Sequence, residues 1–134
     1  MRVVLLVILL AGLAAGCGDN PLRPSDLKEV TWKLETIERA GVPMITVPNP
    51  DQYTLRLGND GRLSVRADCN QCGGTYSLEG DTLKVGNLAC TLVGCPSGSL
   101  DSAYGAALGG SSTLAISDSQ LILQNGGVTL RFRN

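Results

Sequence analysis

The side chains of this chain best suited to covalent or metal chemistry are its five cysteines, because histidine is absent. Four of them form two close pairs, Cys69-Asn-Gln-Cys72 and Cys90-Thr-Leu-Val-Gly-Cys95. Such spacing suits a redox centre, a structural zinc site or a pair of disulfides. A thioredoxin-like centre needs its first cysteine at a helix N-terminus, where the dipole lowers the thiol pKa. Cys69 and Cys72 instead follow the alternating stretch RLSVRAD and precede Gly73-Gly74 and another alternating stretch, with no βαβ pattern around them. Four thiolates at these spacings could hold zinc in a reducing compartment. Acid–base catalysis has no histidine to use. No Gly-x-Ser-x-Gly or paired-carboxylate motif is present. Asp68, beside Cys69, reads as a turn residue bonding nearby backbone amides. Trp32, Tyr53 and Tyr76 sit on the apolar faces of their stretches and read as core. No catalytic residue, cofactor or metal is therefore expected, and the chain is not read as an enzyme.

The N-terminus decides among the cysteine chemistries. Met1-Arg2 is a short positive start, followed by the apolar run VVLLVILLAGLAAG and then Cys17. The run is shorter than the roughly 20 residues a membrane span requires, and it closes on small residues, as a secretory signal does. Ala14-Ala15-Gly16-Cys17 is similar to a bacterial lipoprotein signal, in which the cysteine is acylated and becomes the first mature residue; Ala14 stands where leucine is usual. The expected organisation is a signal peptide over 1–16, the lipidated Cys17 with a flexible tether over 17–29, and a single domain over 30–134. Outside the cytoplasm neighbouring thiols oxidise, which disfavours both zinc and free thiols. Cys69, Cys72, Cys90 and Cys95 then form a two-bridge framework with three possible connectivities. Bonds within each close pair would close tiny loops, whereas cross-bonds would join segments distant in sequence.

The elements that must position these cysteines are short alternating strands. QYTLRLGNDGRLSVRAD reads as a hairpin with Tyr53, Leu55, Leu57, Leu63 and Val65 on one face and a turn at 58–61. GTYSLEGDTLKVGN repeats the form through Tyr76, Leu78, Leu83 and Val85. The C-terminus repeats it through Leu121, Leu123, Val128, Leu130 and Phe132. An earlier strand, TWKLETI, places Trp32, Leu34 and Thr36 together. The proline-rich stretch 42–50 reads as a loop or edge segment, since proline cannot donate to a ladder. One helix is expected near residues 98–108, where Leu100, Ala103, Tyr104, Ala107 and Leu108 recur at helical spacing; Ser97 or Ser99 can cap it and Gly109-Gly110 can end it. Strands in close succession with one helix predict a mainly β, small antiparallel β-barrel-like domain. The net charge of −1 and the 4% aromatic content leave little to grip a phosphate backbone or stack bases, so nucleic acid is not expected as a partner.

The stretch DCNQCGGTYSLEGDTLKVGNLACTLVGC (68–95), with the helix and the tail SDSQLILQNGGVTLRFRN, resembles the META domain of the HslJ-type lipoproteins. The pattern runs from Trp32-Lys33-Leu34 through Cys69-Asn70 and Gly74-Thr75-Tyr76 to Ala89-Cys90-Thr91 and a final cysteine at Cys95. The resemblance covers about residues 30–134 and implies a lipocalin-like barrel with a helix packed on it. The commoner family form has cysteines matching Cys69 and Cys95, so the resemblance favours a 69–95 bridge with 72–90 as an added second pair. This chain reads Thr91-Leu92-Val93-Gly94-Cys95 where the commoner form has Thr-Arg-Met-Ala-Cys. Members are described as heat-inducible or linked to envelope stress and drug tolerance, and no catalytic residues are established for them. The function expected first is that of a lipid-anchored envelope protein acting by binding. Its expected contacts are the membrane, through acyl chains on Cys17, and an unidentified envelope protein; the chain itself is expected to be a monomer. Its place is the cell envelope, at the outer membrane if the host is Gram-negative, since Gly18 rather than aspartate follows Cys17. A pilot or chaperone for a secretin-type assembly is the alternative and would show an exposed apolar groove. A thiol–disulfide oxidoreductase comes third.

Overall fold

The computed structural model describes residues 23–117 and 119–134. The expected signal peptide, Cys17 and the first part of the expected tether lie outside the described residues. The chain order is α1 (Pro24–Leu27), β1 (Thr31–Arg39), β2 (Ile45–Thr46), a 3-10 turn (Pro50–Gln52), β3 (Tyr53–Leu57), β4 (Arg62–Ala67), β5 (Asn70–Glu79), β6 (Thr82–Val85), β7 (Ala89–Cys90), α2 (Asp101–Leu108), β8 (Gly110–Ser117), β9 (Gln120–Asn125) and β10 (Val128–Arg133). Eight of these strands form a closed antiparallel barrel in the order β1-β3-β4-β5-β6-β8-β9-β10, and β10 returns to pair with β1 from Arg39↔Val128 to Lys33↔Arg133. β2 adds to β1, and β7 adds to β5.

Alternation builds this barrel as expected, because successive side chains point to opposite faces and only one face is apolar. Tyr53, Leu55, Leu57, Leu63, Val65, Leu83, Val85, Leu121, Leu123, Leu130 and Phe132 all point inward and are buried. β1 departs from simple alternation. Its pairing to β10 shifts between Leu34 and Thr36, so Ile37 rather than Thr36 joins Trp32 and Leu34 inside. A bulge inserts one residue and flips the face from that point onward. β8 has no counterpart in the sequence reading. Its inward residues Ser112, Leu114 and Ile116 give a weak apolar alternation, yet β6 and β9 bracket it on both sides.

The two barrel ends are closed differently. At the end where β1 starts, α1 folds against the core: Leu27 is buried, and the Trp32 indole Nε1 donates to its carbonyl at 3.1 Å. Residues 24–29, expected within the tether, are therefore folded, and Lys28 bridges Leu57. At the opposite end α2 lies across the opening, starting at Asp101 rather than at 98. Ser99 still serves the helix start, since its hydroxyl accepts from the Asp101 N–H at 3.2 Å. Tyr104 is fully buried between Tyr53 and Phe132, with ring centroids 6.2 and 6.1 Å away. The 42–50 stretch resolves into the two-residue edge strand β2 and part of the 3-10 turn.

Candidate functional site

The cysteines meet at the α2 end. Cys69 is bonded to Cys95, and Cys72 to Cys90. Cys69 lies with Asp68 in the tight turn between β4 and β5, where Ala67 and Asn70 pair across the hairpin. Asp68 takes a left-handed φ of 57°, a conformation aspartate tolerates, which accounts for its type there. Cys72 and Cys90 face one another as register partners of β5 and β7. All four thiols are thus paired in cross-links, which leaves zinc no thiolate ligands among them.

Asn70, buried at 6% exposure, organises what the bridges hold. Its Oδ1 accepts from the Thr91 hydroxyl at 2.9 Å and from the Val93 N–H at 2.8 Å. Its Nδ2 donates to the Val93 carbonyl at 3.0 Å and to Asp101 Oδ2 at 3.3 Å. Thr91 Oγ1 in turn accepts from the Gln71 N–H, and the Thr91 N–H donates to the Gln71 carbonyl. One amide therefore ties loop 91–95 to β5 and to the first turn of α2. Only its position after Cys69 marked it in the sequence. The loop so fixed carries Leu92 at 97% exposure and Val93 at 58%. The segment leaving β1 at the same end exposes Val42 and Met44. Neither segment, 40–49 or 86–100, contains a charged residue.

The α1 end is built without cross-links. Glu29, at a φ of 61°, accepts from the Asn59 N–H at 2.8 Å and is ion-paired with Arg56. The Tyr76 hydroxyl donates to the Gly58 carbonyl. Burial, with the nearby Asp60 and Glu29 charges behind it, pushes the Tyr76 phenol above its ordinary pKa. Beside this turn an open groove of about 790 Å³ runs over the outer face of β3, β4 and β5.

Residues 25–134 match the META domain. The chain belongs to the META-domain family. The NMR structure of a protein from Burkholderia xenovorans is similar at 26% identity and a TM-score of 0.66, covering 94% of this chain and 97% of that one. A lipocalin-like protein from Bacteroides uniformis shares the fold at 21% identity and a TM-score of 0.54, covering 81% of this chain and 97% of its own. No functionally curated protein matches. This META domain is thus a lipocalin-like barrel whose interior is occupied by its own side chains. Trp32, Tyr104 and Phe132 are the largest of the fully buried side chains that fill it. Among the described residues no cluster of three or more potential ligands could hold a metal ion, and no helix is long and apolar enough to cross a membrane.

Proposed function

We propose that this META domain is a lipid-anchored envelope protein that works by binding, in tolerance of envelope stress, with the cross-linked end as its contact surface. The observation carrying this is Leu92: a side chain 97% exposed, on a loop tied down by two disulfides and by Asn70. Ordering a loop at an interface costs binding energy, and a loop already fixed in the free protein avoids that cost. The apolar interior sealed by α2 supports the same reading, since it offers no cleft for a partner's helix; the groove at the α1 end is rimmed by charge.

The anchor gives the surface a direction. The six residue-to-residue steps from Cys17 to Arg23 reach at most about 20 Å, and Arg23 joins the barrel at the α1 end. The nine residues of β1 rise about 30 Å along the strand, or roughly 23 Å along the axis of a barrel whose strands tilt by ~40°. That reach is shorter than an upright barrel is tall, which supports Leu92 meeting a protein of the envelope rather than the lipid surface. Two measurements test this. Intact mass of the protein taken from its host membrane should show diacylglycerol and an acyl chain on Cys17. A photo-crosslinking residue at position 92 should trap a defined partner that the same probe at Ser77, on the barrel side, does not. An unmodified Cys17, or the same products from both probes, removes the proposal.

A further inference from the structure

The groove at the α1 end is held open by a glycine that the fold does not need. Gly74 and Gly86 have packing reasons. A Cβ at Gly74 would come within 3.0 Å of the Asn87 carbonyl, and one at Gly86 within 2.9 Å of Thr75 Oγ1. Gly73 has none: its φ is not left-handed, and a Cβ there would meet only the Leu63 carbonyl, at 3.9 Å. A glycine inside a strand weakens it, through greater lost chain entropy and no side chain to pack. Gly73 pairs with Ser64 on one side and Ala89 on the other, so three small residues form the groove floor across β4, β5 and β7. Any larger side chain at 73 would rise into that space.

The rim indicates what could lie there. It carries two guanidinium groups, Arg56 and Arg62, and two carboxylates, Glu29 and Asp60, so its charge sums to zero. Glu29 and Arg56 already neutralise one another. An anion or cation would meet as much repulsion as attraction along this lining. A neutral molecule with paired hydroxyls would not, because each hydroxyl both donates and accepts. Carboxylate and guanidinium groups each offer two adjacent hydrogen-bonding positions that match a vicinal diol, and Ser64 and Thr75 add hydroxyls.

We propose that this groove binds a neutral oligosaccharide, with Gly73 providing the flat floor for the sugar ring and the four rim charges its hydroxyl contacts. This goes beyond the contact surface at the opposite end and does not depend on it.

Titrating the ¹⁵N-labelled protein, as its host processes it and held in detergent micelles, with chitotriose and maltotriose tests the proposal. A heparin-derived tetrasaccharide serves as the anionic control. The expected result is concentration-dependent amide shifts at Asn59, Gly73 and Thr75 with at least one neutral sugar, and none at Leu92. Gly73→Val fills the floor with a strong strand former. It should keep or raise the thermal midpoint and reduce the sugar-induced shifts at least tenfold. No shifts with either neutral sugar overturn the proposal, as does binding only of the anionic sugar. Shifts that persist in a folded Gly73→Val protein overturn the site.

Discussion

The two ends of the barrel solve the same problem by different means. At the α1 end the chain is pinned by noncovalent geometry: a buried Leu27, a left-handed Glu29, and hydrogen bonds into the 58–61 turn. At the α2 end residues 86–100 contain only a two-residue strand before the helix begins. They have few regular backbone partners and no charges, and sulfur bonds hold them instead. Hydrophobic periodicity can order a strand, but it cannot order a loop whose apolar residues point outward. Where the alternation stops, covalent links and one buried amide take over.

Opening the outer bridge should break this contrast most. With Cys72–Cys90 still closed, the Cys69–Cys95 bridge shuts a loop of only about ten residues, for which loop-closure entropy gives about 2.7 kcal/mol. The double substitution to serine should lower urea-unfolding stability by about that amount. Amide exchange should quicken over 91–100 while the 58–61 turn keeps its protection. Equal loosening at both ends would show that the staple serves the whole barrel. Asn70→Ala should come next. It strands the Val93 N–H and removes the hub, at a cost of about 2 kcal/mol, with exchange again quickening at 91–95.

A single kind of change should then have opposite signs at the two ends. Tyr104 points from α2 into the core with a buried hydroxyl that finds no hydrogen-bond partner among the described residues, so Tyr104→Phe should stabilise by about 1 kcal/mol. Tyr76 donates to Gly58 at the other end, so Tyr76→Phe should destabilise by about 1 kcal/mol. Burial raises both phenols, Tyr104 well above its ordinary value. A raised folded pKa means that stability is intact below the unfolded value of 10 and is lost as pH rises beyond it. Thermal melts from pH 9 to 11 should fall for the wild type, and less steeply for Tyr104→Phe.

Acid should produce the smallest effect. The hydrogen bond from Arg131 is the main cause holding Glu38 below its ordinary 4.5. Its contribution is present above that value and lost as pH falls through the lowered one. The pair is only half-buried on the β1–β10 seam, so Glu38→Gln should flatten the melting curve between pH 3 and 5 only slightly.

How much of this was legible follows from the same contrast. The hairpins at 53–65, 76–85 and 121–132 announce themselves because period-2 alternation meets Gly, Asn and Asp turns. The bulge in β1 does not, since Thr36 and Ile37 are both plausible inward residues until β10 fixes the register. α1 hides behind two prolines and reads as tether, and only Trp32 reaching back to Leu27 reveals it. β8 is diluted by serines and an alanine. At the candidate sites the cysteine types and the family resemblance pointed to the right pairs. Asn70 gave no sign of its role, because an uncharged amide shows its value only when several backbone groups converge on it. The groove was invisible, being made by what Gly73 lacks.

The closure of β1 onto β10 has a consequence for biogenesis. The seam joins the first strand of the barrel to the last, so a chain emerging N-terminus first cannot shut until Phe132 has arrived. Until then Thr31–Arg39 waits with one side unzipped, vulnerable to proteases and to sticking. Any product clipped before residue 128 would stay open for good.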